Sequence, residues 1–141
     1  MGADKLVETL NVFQQAVDML ERFPNHDDLG YYISYMGTVK DKMGHYDEAL
    51  HLYQRAKEAK RAAGISDDHP DMAKSTRDIA YVYMKQARWD EAFNALQEVK
   101  NIQERILLPT HPDFARTLFT IGVVVRSQGH YDQAIEYMDR T

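Results

Sequence analysis

Tyr46-Asp47-Glu48-Ala49-Leu50, Trp89-Asp90-Glu91-Ala92-Phe93 and Tyr131-Asp132-Gln133-Ala134-Ile135 are three copies of one phrase, set 43 and 42 residues apart. The same intervals separate His26, His69 and His111, and again Gly37, Ala80 and Gly122. One register therefore aligns residues 25–67, 68–109 and 110–141. A period of roughly 20–50 residues marks supersecondary units whose apolar faces are buried only by their neighbours. Such units present an extended binding surface rather than a catalytic pocket.

Each unit reads as two helices joined by a tight turn. In the second, Ala73, Ile79, Ala80, Val82 and Tyr83 share one face at helical spacing. After Ala87-Arg88 a second stripe runs through Ala92, Leu96, Val99, Ile102 and Ile106. Breakers mark the turns at Met43-Gly44-His45 and Gln128-Gly129-His130. Asn25, Asp68 and Thr110 each stand three residues ahead of an Asp, as helix caps do, and Pro70 and Pro112 suit a first turn. The small residues Gly37, Ala80 and Gly122, facing Ala49, Ala92 and Ala134, predict close approach of the paired helices.

A small residue in the first helix, then aromatic-x-x-Ala, then a large apolar residue four further on (Tyr53, Leu96, Met138), resembles the tetratricopeptide repeat. The 42-residue spacing, with His-Pro-Asp opening a repeat, is similar to the longer variety found in kinesin light chains, nephrocystin-type proteins and many bacterial arrays. The resemblance implies an all-α, right-handed solenoid of antiparallel helix pairs acting as a protein-interaction module. Shifted back by one period, residues 3–22 read as a lone second helix of a preceding repeat, followed by repeats over 25–67, 68–109 and a truncated 110–141. Neither end carries the polar cap that solenoids need, so the expectation is a piece of a longer array, or a homo-oligomer that pairs its raw ends.

Catalysis is not expected. The repeat accounts for five of the six histidines, His26, His69 and His111 at helix starts and His45 and His130 at turns, and leaves only His51 outside. There is no phosphate-binding glycine loop and no nucleophile elbow. Asp67-Asp68-His69-Pro70-Asp71 lacks the Gly and distal Glu of a calcium loop, so no metal and no cofactor are expected. The chain has no cysteine, which excludes disulfides and thiolate zinc sites, and no secretory signal pattern, which points to the cytoplasm. No apolar run is long enough to insert in a membrane. A formal net charge of −5 disfavours nucleic acid as partner.

Charge distribution points to the partner. In tetratricopeptide arrays the groove is lined from the first helices, 15, 12, 8, 5 and 4 positions before the aromatic. Carried over by that resemblance, the rule selects Tyr31, Ser34, Thr38, Asp41 and Lys42; Lys74, Arg77, Tyr81, Met84 and Lys85; and Arg116, Phe119, Val123, Arg126 and Ser127. Six of these are basic and one is acidic, whereas the whole chain has 17 basic and 22 acidic residues. A basic, partly aromatic face on an acidic body suits a protein or peptide ligand bearing carboxylates. The chain departs from kinesin light chains, whose first helices carry an Asn pair that clamps peptide backbone: here Ser34-Tyr35, Arg77-Asp78 and Phe119-Thr120 stand in those places. The Lys and Asn set by which chaperone-binding members hold a terminal carboxylate is also missing. Lys40 replaces a large apolar residue, which predicts that its stem packs while its ammonium reaches solvent.

Overall fold

The computed structural model of the chain describes residues 2–23 and 26–139, and Tyr131 by its backbone alone. Among the described residues there are seven helices and no strand: α1 (Ala3–Leu20), α2 (Leu29–Lys42), α3 (Tyr46–Ala62), α4 (Pro70–Lys85), α5 (Trp89–Ile106), α6 (Pro112–Ser127) and α7 (Tyr131–Asp139). They form two compact units, Met1–Ser66 and Asp67–Thr141.

In the first unit α2 packs against both α1 and α3. Val17, Leu29, Ile33, Met36, Leu52 and Ala56 make its core, flanked by Leu10, Phe13, Leu20, Tyr32 and Ala59. Each large apolar side chain so buried contributes about 1.5–3 kcal/mol. The α2–α3 approach depends on two glycines two helical turns apart. A Cβ on Gly37 would lie 2.8 Å from Tyr53 Cε1, and one on Gly30 would lie 3.0 Å from the Ala56 carbonyl oxygen. The partner of Gly37 is thus the Tyr53 ring, one turn beyond the expected Ala49. The Lys40 stem packs as expected, the side chain being 19% exposed, but its ammonium is taken up by Glu48 at 2.6 Å rather than left to solvent.

In the second unit one core is shared by four helices. Ala80 from α4, Ala92 and Leu96 from α5, Ile121, Val124 and Val125 from α6 and Ala134 from α7 form a single cluster. No helix pair here buries its own apolar face alone, as the repeat logic requires. Trp89 packs on this cluster and is half-buried. A smaller cluster joins Ala73 with Val99 and Ile102. Ile106 departs from the expected stripe: it is 37% exposed, because α5 ends there and Leu107 turns the backbone to an extended conformation.

The helix starts differ from the capping pattern anticipated. The capping side chain of α4 is His69, not Asp68, and its Nδ1 accepts the Asp71 N–H at 3.1 Å. In α6 the cap is His111, not Thr110, with the same 3.1 Å bond from the Asp113 N–H. Asp68 instead accepts from Arg105 Nε at 3.1 Å, tying the start of α4 to the end of α5. Before α2, His26 Nδ1 likewise accepts the Asp28 N–H at 3.1 Å, but the helix begins only at Leu29. Asn25 lies outside the described residues.

The three turns within pairs close identically. His45 N–H reaches the Lys40 carbonyl at 2.9 Å, Arg88 that of Tyr83 at 2.8 Å and His130 that of Val125 at 3.0 Å. This six-to-one bond needs a left-handed residue just before it. Gly44 (φ 79°) and Gly129 (φ 88°) supply it in two repeats, and Ala87 (φ 56°) in the other. A left-handed non-glycine costs about 1–2 kcal/mol, and glycine's greater unfolded freedom offsets about 0.5–1 of that.

Replacing Ala87 by Gly is therefore expected to raise stability by up to about 1 kcal/mol, and Gly129→Ala to lower it by a similar amount. Chemical denaturation of the two variants checks this; a less stable Ala87→Gly protein would contradict the turn geometry. Ala92 is fully buried in the shared core. Ala92→Phe should destabilise the second unit by about 1–3 kcal/mol or more through overpacking, and a variant melting with the parent would mean that α4 and α5 do not meet there.

Candidate functional site

Seven of the expected site residues lie on α4 and α6 of the second unit. On α4, Lys74, Arg77, Tyr81 and Lys85 recur at three- and four-residue steps, so they share one stripe. The adjoining faces of α4 are buried through Ala73, Thr76, Ile79 and Ala80. Arg116, Phe119 and Arg126 form the matching stripe on α6, away from buried Leu118, Ile121 and Val125. All seven are accessible: Arg77 and Tyr81 are half-buried, the others exposed, with Phe119 showing 50% of its surface.

The electrostatics of the stripes are more balanced than a list of cations suggests. Lys74 Nζ lies 3.1 Å from Asp78 Oδ2, one turn along the same helix. Arg116 Nη1 lies 3.5 Å from Asp113 Oδ1. Both pairs are solvent-exposed and contribute at most about 1 kcal/mol, so an incoming carboxylate can displace them. Arg77 and Arg126 have no ion pair or side-chain hydrogen bond among the described residues. Lys74 and Arg77 line one cavity of 230 Å³, to which Asp113 brings the start of α6. Of the expected residues only Lys74 and Arg77 line this cavity; Tyr81 and Lys85 lie further along α4, and Arg116, Phe119 and Arg126 lie on α6 outside it.

On α2 the remaining expected residues are more occupied with their own unit. The Tyr31 ring carries Lys60 Nζ at 4.9 Å from its centre, a cation–π contact with a lysine that is only 3% exposed. Thr38 Oγ1 donates to the Ser34 carbonyl at 3.2 Å and lies 3.2 Å from Tyr53 Oη. Ser34 Oγ is buried without a partner, and Lys42 is exposed. Nothing in the charge pattern of the sequence marks the larger cavity of this unit, 510 Å³, lined by α1, α2 and α3. His51, the histidine outside the repeat scheme, lines it beside Lys40, Glu48 and Arg55. Its charges are matched: Lys40 meets Glu48, and Arg55 Nη2 donates to Glu21 Oε1 at 2.8 Å. The Lys40 ammonium holds the Glu48 carboxyl below the ordinary carboxylate range. No group of three or more His, Cys, Asp or Glu side chains among the described residues could hold a metal ion. No helix among them is long and apolar enough to cross a membrane.

Residues 71–141, half of the chain, match the family described as Tetratricopeptide repeat, and residues 31–71 match a second description of the same repeat. The chain belongs to the tetratricopeptide repeat family. Among solved structures it is similar to the Podosopora anserina kinesin light chain nearly identical TPR-like repeats, at TM-score 0.83 and 19% identity over 97% of this chain and 65% of that one. BtubC (BKLC) from P. vanneervenii is similar at TM-score 0.85 and 15% identity, over 97% of this chain and 55% of the other. The apo form of RapI is similar at TM-score 0.80 and 19% identity, covering 94% and 47%. At these identities the likeness is one of fold, and the chain spans less than two thirds of each of these structures. No curated protein matches it in sequence. As a tetratricopeptide repeat protein, the chain is of the class that serves as scaffolds for protein partners.

Proposed function

We propose that the α4–α6 face binds a peptide segment rich in Asp and Glu, as a non-catalytic adaptor surface. The observation that carries this reading is the pair of accessible basic stripes, Lys74, Arg77 and Lys85 on α4 and Arg116 and Arg126 on α6, on a chain whose formal net charge is −5. Arg77 and Arg126 enter the encounter with free guanidinium groups, whose planar forks suit carboxylates. Tyr81 and Phe119 supply aromatic surface between the charges, and the acidic remainder of the chain steers an acidic segment away from other faces. On α2, Tyr31, Ser34, Thr38 and Lys42 are assigned to the same kind of surface, with Lys42 as its cation.

One observation favours self-association as a second reading. Val12 and Met19, two turns apart on α1, are 64% and 69% exposed, and Phe23 just beyond is 63% exposed. A stripe of this size is an association surface when another apolar face covers it.

A fluorescent peptide of mixed Glu and apolar residues, followed by anisotropy, separates the readings. The parent should bind it with an affinity that falls as salt rises, because screening shortens charge interactions to about 8 Å at physiological ionic strength. Arg77→Glu with Arg116→Glu should abolish binding while moving the melting temperature little, since exposed charges carry about 0–1 kcal/mol per pair. Binding that survives the double reversal overturns the basic-face reading. A mass by light scattering that grows with concentration and collapses in Met19→Lys would favour self-association.

A further inference from the structure

Gln103 sits at a position the helical period of α5 reserves for an apolar residue, one turn after Val99 and beside Ile102. It is only 4% exposed, and its Oε1 has no hydrogen-bond partner. About nine in ten buried main-chain polar groups, and the large majority of buried side-chain ones, are paired in folded proteins, so an unpaired amide oxygen in a helix seam asks for a partner that arrives from outside. Gln103 lines the 230 Å³ cavity that also holds Lys74 and Arg77.

The other charged groups of this cavity are already engaged. Lys74 is held by Asp78, Asp113 by Arg116, and Asp71 is engaged within its own unit. Two groups remain without a partner: the Arg77 guanidinium, which pairs with an anion, and Gln103 Oε1, which accepts an N–H once its amide turns into the cavity. Ile106 and Leu107 complete the wall with apolar surface. The space is several times the ~30 Å³ share of one water and below the ~300 Å³ at which pockets for whole small molecules begin. It is the size of a single side chain with its adjoining peptide group.

We propose that this cavity seats one acidic residue of the bound peptide, its carboxylate on the Arg77 guanidinium and its main-chain N–H donating to Gln103 Oε1; this rests on the acidic-peptide reading above. The stem of that residue, Asp or Glu, packs on Ile106 and Leu107. Gln103 is then a binding residue on a second helix of a pair, outside the first-helix positions from which the face was read. It explains why a polar amide occupies a position where leucine would pack with no orphaned oxygen.

The test is a set of peptides N-methylated at one residue at a time, titrated against the parent and against Gln103→Leu. In the parent, methylation at an acidic residue should weaken binding about tenfold at one position only. Gln103→Leu should bind the unmethylated peptide about tenfold more weakly, lose no more on methylation at that position, and melt no lower than the parent. The methylation scan uses the parent protein, so it stands even if Gln103→Leu folds poorly. A parent that binds acidic peptides with no sensitive N–H, or a folded Gln103→Leu with full affinity, overturns the cavity assignment and leaves the acidic-peptide reading intact. A parent that binds no acidic peptide overturns both.

Discussion

Where α2 crosses α3, Gly37 lies so near the Tyr53 ring that a Cβ on it would come within 2.8 Å of Cε1. The same constraint returns in α6, where a Cβ on Gly122 would lie 2.9 Å from Met138 Cγ and 3.3 Å from the Ala134 carbonyl oxygen. Between them, fully buried Ala80 and Ala92 share a cluster with Leu96. In each pair a small residue on the first helix therefore meets the large residue that follows the alanine of the second. Close packing of this kind tolerates little change in volume, since interiors are as dense as organic crystals. It fixes the rotation of each first helix about its axis, and that rotation decides which side chains are left accessible.

The accessible stripes are a consequence of this rotation. Burying Ala73, Thr76 and Ala80 on α4 turns Lys74, Arg77, Tyr81 and Lys85 away from the core. Burying Leu118, Ile121 and Val125 does the same for Arg116, Phe119 and Arg126 on α6. The His69 and His111 caps and the left-handed turn residues hold the ends of these helices in register. Preformed helices spare the backbone an ordering cost on binding, whereas each long Lys or Arg side chain that is immobilised still costs about 0.5–1.5 kcal/mol.

The helix pairs were legible because the apolar period and the repeated phrase say the same thing twice, at Ala92 and Leu96 as at Ala49 and Tyr53. The caps were less so. Histidine ranks low among capping residues, yet its neutral Nδ1 accepts an N–H as an aspartate oxygen does, and Asp68 was free to pair with Arg105. Ile106 misled for a different reason: periodicity does not announce the turn at which a helix stops. For the site, spacing identified the exposed stripes, but the counter-ions Asp78 and Asp113 were also within reach of the same arithmetic, four and three residues from Lys74 and Arg116. Gln103 was invisible to a search for charge. Its signal is a polar residue at an apolar position of the period, and that signal acquires meaning only once the cavity beside it is known.

The most direct test of the account is to map an acidic peptide onto the protein by backbone amide chemical shifts, residue by residue, during a titration. The largest changes should fall along 74–85 of α4 and 116–126 of α6, with a second group at 103–107 on the closing turn of α5. Changes centred on α1, on the outer face of α5 or on α7, with α4 and α6 silent, would contradict it.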